Sequence, residues 1–320
     1  MTMVNKTGYF SHPECKGHDM GRGHPECPDR MDAIEDRLLA SGVFDGLERR
    51  EAPLAPLDRL TLAHDADHVE TVRELNDRLQ AALKSGSDRL AQIDPDTAMS
   101  SGSFNAILRG AGAALAATDA VIAGELENAF CATRPPGHHA CRDRAMGFCV
   151  FNNVAVAALH ALEHHGLKRV AIVDFDVHHG NGTEDIVAGD DRILMVSFYQ
   201  HPFYPYGGST SGAANMVNVA VPANTRGSAI RDVVEQQWLP RLRAHQPEMI
   251  FISAGFDAHK DDDLGQMGLI EADYRWMTEQ IKAVAKQYSR GRIVSCLEGG
   301  YNLSALGRSV EAHVRALADI

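Results

Sequence analysis

The sequence predicts an α/β protein, a parallel β-sheet sandwiched by helices, and three observations predict it. Short apolar runs recur along the chain, and amphipathic helical stretches fill the gaps between them. No internal repeat, low-complexity tract or Pro/Gly/Ser linker divides the 320 residues, so a single domain over 1–320 is expected. Gly, His, Asp and Tyr stand directly after the apolar runs, where sheets of this kind bind their ligands, at the carboxyl ends of the strands.

In chain order, the first helical pattern covers 30–40 and is closed by Gly42. Helices over 68–83 and 104–123 follow. The second of these contains GAGAALAA (110–117), which suits a closely packed helix and lacks the preceding strand and the Lys-Ser/Thr of a phosphate loop. A strand over 129–133 leads into RPPGHHA, and a helix over 153–165 ends in His164 and His165, read as solvated residues where the helix dipole favours cations. A strand over 169–175 runs into DVHHGNGT, and one over 193–199 into YQHPFYPYGG. A helix over 230–245 precedes the strand 249–253, which ends in AGFDAHKDDD. The helix 272–288, the strand 292–297 with EGGY after it, and the helix 303–318 complete the pattern. One site built from five such loops implies one domain.

The charge balance, 43 acidic against 31 basic residues, leaves a net −12 and argues against a nucleic-acid partner. An acidic rim would attract cationic substrates, and Asp261, Asp262 and Asp263 are candidates for one. The mixed opening MTMVNKTGYF has no charged start with an apolar run behind it, and no stretch approaches the ~20 apolar residues of a membrane span. A cytoplasmic protein without a membrane partner is expected. The six cysteines lack a CxxC pair in a chain too large to need disulfides, so reduced thiols are expected. His12, Cys15, His18, His24 and Cys27 match no zinc template and read as a rim loop. No coiled coil or interface stripe indicates an oligomeric state.

The chemistry gathers at DFDVHHGNGT (174–183), behind the apolar Val170-Ala171-Ile172-Val173. Alternation along a strand puts Asp174, Asp176 and His178 on one face and Phe175 and Val177 on the other. Asp176 and His178 can approach one ion together, and Asp257 in SAGFDAH offers a third ligand. Three protein ligands with a position left for water is the layout of a catalytic zinc site, although Fe²⁺, Co²⁺ or Mn²⁺ also suits these donors. His138 and His139 supply the base and acid that an activated water needs. Asp174 and Asn181 are placed to hold the two rings, the first keeping its histidine charged and the second leaving its histidine free to titrate. Tyr301 can donate its hydroxyl to an oxyanion.

These residues resemble the zinc-dependent histone deacetylase superfamily, with its arginase/deacetylase fold. HPECPDR, RPPGHHA, GFCVFNN, DFDVHHGNGT, SAGFDAH and EGGY stand in family order from His24 to Tyr301. The resemblance implies Asp176, His178 and Asp257 as zinc ligands, His139 as general base and acid, His138 paired with Asp174, and Tyr301 polarising an acetyl carbonyl. It implies a narrow alkyl channel walled by Gly147, Phe148 and Phe203, a rim aspartate at Asp96, and an arginine under the site at Arg30. A structural K⁺ is implied near Asp174, Asp176, His178 and Ser197. Asn181 and Glu298 resemble the class II and bacterial branch. Leu264 stands where polyamine-selective relatives carry a glutamate, which favours acetyl-lysine, or a similar linear acetylated amine, over acetylpolyamine. The implied activity is a zinc-dependent amidohydrolase that removes acetyl groups. The competing readings are an acetylpolyamine amidohydrolase, a non-catalytic acyl-lysine binding protein, and an arginase-like hydrolase with two manganese ions.

Overall fold

Residues 6–320 of the computed structural model are described here, and the first five residues of the mixed opening stretch lie outside them. The described residues begin with β1 (Thr7–Ser11), α1 (Asp29–Ala40), β2 (Leu47–Glu51), α2 (Leu57–Leu60) and α3 (Ala66–Lys84). A small hairpin, β3 (Ala91–Asp94) and β4 (Thr97–Met99), leads to α4 (Ser103–Ile122), β5 (Asn128–Cys131) and α5 (Asn153–Glu163). Then come β6 (Val170–Asp174), α6 (Asn181–Val187), β7 (Ile193–Gln200) and β8 (Met216–Val221). A helix in three parts follows: α7 (Gly227–Val233), a π-helical stretch Val234–Trp238, and α8 (Leu239–His245). The chain closes with β9 (Met249–Ala254), α9 (Glu271–Tyr288), β10 (Ile293–Leu297) and α10 (Leu303–Ala318).

Among the described residues, eight strands form one sheet in the order β2-β1-β5-β10-β9-β6-β7-β8, and every pairing in it is parallel. The α/β class predicted from the sequence is the class observed. Alternate residues of each strand enter opposite cores, as the pleat requires. Val170 and Ile172 face a core built with α4 and α5, whereas Ala171 and Val173 face one built with α1, α9 and α10. Asn152 and Asn302 cap α5 and α10 by accepting the N–H groups of Ala155 and Ala305, each at 3.0 Å.

From β6 the chain moves outward to β7 and β8, then returns to place β9 on the other side of β6 and moves away from it to β10. The crevice beyond the carboxyl ends of β6 and β9 is therefore the topological switch point. Three sheet strands were absent from the sequence reading. β2 (LERRE) and β8 are half-exposed edges, and β1 (TGYFS) holds only a Tyr-Phe pair, so none presents a long apolar run. All six thiols are unpaired, and among the described residues no helix is long and apolar enough to cross a membrane.

Candidate active site

Strand β6 stops at Asp174, yet Asp174, Asp176 and His178 still converge. Asp174 Oδ1 accepts the N–H of Asp176 at 3.1 Å, and Asp176 Oδ1 accepts the N–H of His178 at 2.8 Å. These two turns extend the alternation past the strand, with Phe175 and Val177 in the core below. Asp257, beyond β9, accepts the Val177 N–H on Oδ1 at 2.9 Å. Gly299, beyond β10, donates to Asp176 Oδ2 at 2.9 Å. A Cβ on Gly299 would lie 2.0 Å from Asp257 Oδ2 and 2.6 Å from Asp176 Oδ2, so only glycine lets the chain pass behind both carboxylates.

Asp176, His178 and Asp257 each offer a ligand atom within 4.8 Å of the others. His178 Nδ1 is 3.0 Å from Asp176 Oδ1 and 3.2 Å from Asp257 Oδ2. Asp257 Oδ2 is buried without a hydrogen bond. Burial, with the neighbouring Asp176 charge, pushes the Asp257 carboxyl up to about 7. Crowded buried acids of this kind call for positive charge, and the donor set fits a borderline dication.

His138 and His139 follow β5 and differ in state. Burial disfavours charge on His138, but the carboxylates of Asp176 and Asp174 outweigh it and hold the ring well above its ordinary value. Its Nδ1 is 3.0 Å from Asp174 Oδ2. His139 is held well below its ordinary value by burial and by the neighbouring His138 and His178, so it is neutral. Its Nδ1 bonds Asn181 Oδ1 at 2.7 Å, while Asn181 Nδ2 faces the sulfurs of Met146 and Cys141 at 3.3 and 3.5 Å. With Nδ1 donating, Nε2 of His139 carries the lone pair.

A cavity of about 200 Å³ opens above these groups, lined among others by His139, Gly147, Phe148, His178, Phe203 and Tyr301. Phe203 stacks on His178 with ring centroids 5.4 Å apart, and Phe148 meets Tyr301 edge-on at 6.0 Å. Leu264 and Asp96 complete the mouth with Tyr204 and Tyr206, two aromatics the sequence reading did not single out. Asp96 Oδ1 accepts the Gly147 N–H and the Thr97 hydroxyl, both at 3.0 Å, and so braces the GFC turn. Burial pushes the Tyr301 phenol well above its ordinary value and keeps it a donor. Ser197 pairs with Asp174 across β6 and β7 and donates to Asn218 at 2.8 Å.

Several expectations need correction. The N-terminal segment is a rim loop only in part: His12, His24 and Cys27 are half-buried and His24 meets Phe148 edge-on at 4.7 Å, whereas Cys15 and His18, with Glu26 and Arg30, are buried as a floor. Arg134 bonds both oxygens of Glu26, at 2.7 and 2.6 Å, and the carbonyls of Cys15 and His18. Arg30 donates to the Gly300 and Glu298 carbonyls at 2.8 and 2.5 Å, which fixes the loop that carries Tyr301. Asp262 is likewise buried rather than part of a solvated rim. It accepts the N–H groups of Tyr301 and Asn302 at 2.6 and 2.9 Å. His165 is not simply solvated, because it bonds Asp119. Glu298, which the resemblance placed with the class II and bacterial branch without a role, accepts the N–H groups of Gly137 and His138 at 2.6 and 3.0 Å and the Ser253 hydroxyl at 3.1 Å. Burial raises its carboxyl to about 7.

Residues 24–317 match the family described as the histone deacetylase domain. The chain is 34% identical to the histone deacetylase-like amidohydrolase of Pseudomonas aeruginosa, over 94% of this chain and 83% of that protein. It is 34% identical to a probable deacetylase of Archaeoglobus fulgidus, over 93% and 82%. Type-2 histone deacetylase 2 of Dictyostelium discoideum is 36% identical over 98% of this chain, which spans only 21% of that longer protein. The crystal structure of the HDA15 HD domain matches with a TM-score of 0.89 and 32% identity, over 99% of this chain and 89% of that one.

Proposed function

Because the chain belongs to the histone deacetylase domain family, we propose that it is a metal-dependent amidohydrolase that releases acetate from the ε-amine of acetyl-lysine or a similar linear acetylated amine. One observation carries this reading: Asp176, His178 and Asp257 meet His138, His139 and Tyr301 around a single narrow aromatic cavity. Asp176, His178 and Asp257 would hold Zn²⁺, with Fe²⁺ or Co²⁺ as substitutes, and the bound ion supplies Lewis-acid polarisation of water and of the acetyl carbonyl.

The chain's own groups do the rest. Phe148 and Phe203 bracket the alkyl chain and exclude water, and Asp96 at the mouth receives the substrate's backbone amides. Neutral His139 takes the proton of the attacking water on Nε2 and stays oriented through Asn181. Tyr301 donates to the oxygen that gains charge. His138, held charged by Asp176 and Asp174, favours that developing negative charge, and His139, carrying the proton taken from water, or His138 gives one proton to the departing amine. Asp174, Asp176 and His178, with Ser197 across β7, would hold a structural K⁺ beneath the site. The whole chain acts as one domain, in the cytoplasm, with reduced thiols.

Acetate release from an acetyl-lysine peptide, from acetylated putrescine and from acetylated spermidine, measured side by side with a chelator control, tests the proposal. Chelator-sensitive turnover that favours the peptide is expected, as Leu264 offers no charge to a second ammonium. Preference for the polyamines would overturn the substrate, and no turnover on any of them would overturn the activity. Tyr301→Phe should lose about 10²-fold in turnover, the scale of one oxyanion donor, with substrate binding changed less.

A further inference from the structure

Away from this cavity, the C-terminal ends of α4 and α5 bring three imidazoles and a carboxylate together. His160 and His164, one helical turn apart, stack with ring centroids 4.8 Å apart and planes at 12°. His165 stands edge-on to both rings at 5.0 Å. From α4, Asp119 Oδ1 meets Nε2 of His160 at 2.8 Å and Nε2 of His165 at 2.6 Å. The three histidines each offer a nitrogen within 4.8 Å of the others.

A second observation separates this cluster from ordinary surface histidines. His160 is 4% exposed, and its Nδ1 is buried with no hydrogen-bond partner. Such a nitrogen keeps its desolvation cost unless something binds it. His164 is held below its ordinary value, chiefly by the adjacent His160, which leaves it a neutral ring with a lone pair. The helix end favours a cation, Asp119 supplies balancing negative charge, and imidazoles four residues apart on a helix share one face.

We propose that His160, His164 and His165, steadied by Asp119, bind one borderline transition-metal dication of the Zn²⁺, Ni²⁺ or Cu²⁺ class. Neutral imidazole is the preferred donor for these ions, and a carboxylate beside ligating rings orients them. The ion ties the end of α5 to α4. At its other end α5 begins next to Asn152, whose side chain bonds the Thr183 hydroxyl at 3.0 Å behind the candidate active site.

The test uses the untagged full chain, stripped with chelator and titrated with Zn²⁺ by calorimetry, with bound metal counted by elemental analysis. His164→Asn/His165→Asn should bind one zinc fewer per chain than the unaltered protein, with circular dichroism and acetate release unchanged, since both side chains reach solvent. Cu²⁺ added to the zinc-loaded variant and to the zinc-loaded parent provides a second readout, in which imidazole nitrogen splitting in the electron paramagnetic resonance spectrum should be lost with the two rings. Equal zinc stoichiometry in variant and parent overturns the site. The difference of one ion is independent of the candidate active site, because a chain that held no metal there would bind one zinc and the variant none.

Discussion

Glu26 keeps its charge where charge is most costly. It is fully buried, and burial alone would raise its carboxyl, but Arg134 and His18 outweigh that and hold it well below its ordinary value. Removing one partner of such a pair costs about 3–5 kcal/mol, so Glu26→Gln should lose that much unfolding free energy at neutral pH. The contribution is complete above the ordinary carboxylate value of about 4.3 and drains away as pH falls toward the folded value. Urea denaturation of parent and variant between pH 7 and 3 should show the gap narrowing with acid, and a constant gap would contradict this account. At this scale the sequence was legible where costly groups stood at the ends of apolar runs, as with Asp176, His178 and the histidine pair. It was silent where partners meet from afar. Glu26 reaches Arg134 across 108 residues, Asp262 reaches Tyr301 across 39, and Asp119 reaches His160 across 41, and no local spacing encodes such meetings.

Elements reveal themselves through their surroundings. The interior strands β6, β7, β9 and β10 are buried along their whole length, so each reads as a continuous apolar run. The edge strand β2 carries Glu48, Arg49, Arg50 and Glu51, charges that discourage further pairing but also erase the strand signal. Helix α4 matches the small-residue stretch because its backbone lies against residues 53–55. A Cβ on Gly112 would fall 1.9 Å from the Pro53 carbonyl oxygen and 2.8 Å from the Ala55 nitrogen. Gly112→Ala should therefore destabilise the protein by about 1–3 kcal/mol, even though alanine favours an isolated helix by about 1 kcal/mol. A chemical denaturation midpoint that stays level or rises would show that the neighbouring segment yields. The π-helical stretch between α7 and α8 had no counterpart in the sequence, where 230–245 read as one uninterrupted helical pattern.

The sheet order implies a gradient of local stability across the molecule. Amide exchange measured by mass spectrometry should be fastest at the edges β2 and β8 and slowest in β10, β9 and β6, which have partners on both sides and cores on both faces. Exchange that is slowest in β2 or β8 would contradict this order. The fold class was legible because buried strands and amphipathic helices alternate, whereas the order of the strands rests on contacts between distant segments. That order has a consequence for synthesis on the ribosome. The last of the described sheet strands in chain order, β10, sits in the middle of the sheet between β5 and β9, and the loop behind it brings Glu298, Gly299 and Tyr301. Until it emerges, β5 and β9 each keep an open edge, and a nascent chain can hold two half-sheets but no finished site. Competence then arrives in one step with closure, and a chain that terminates before β10 is a seed for aggregation rather than a slow enzyme.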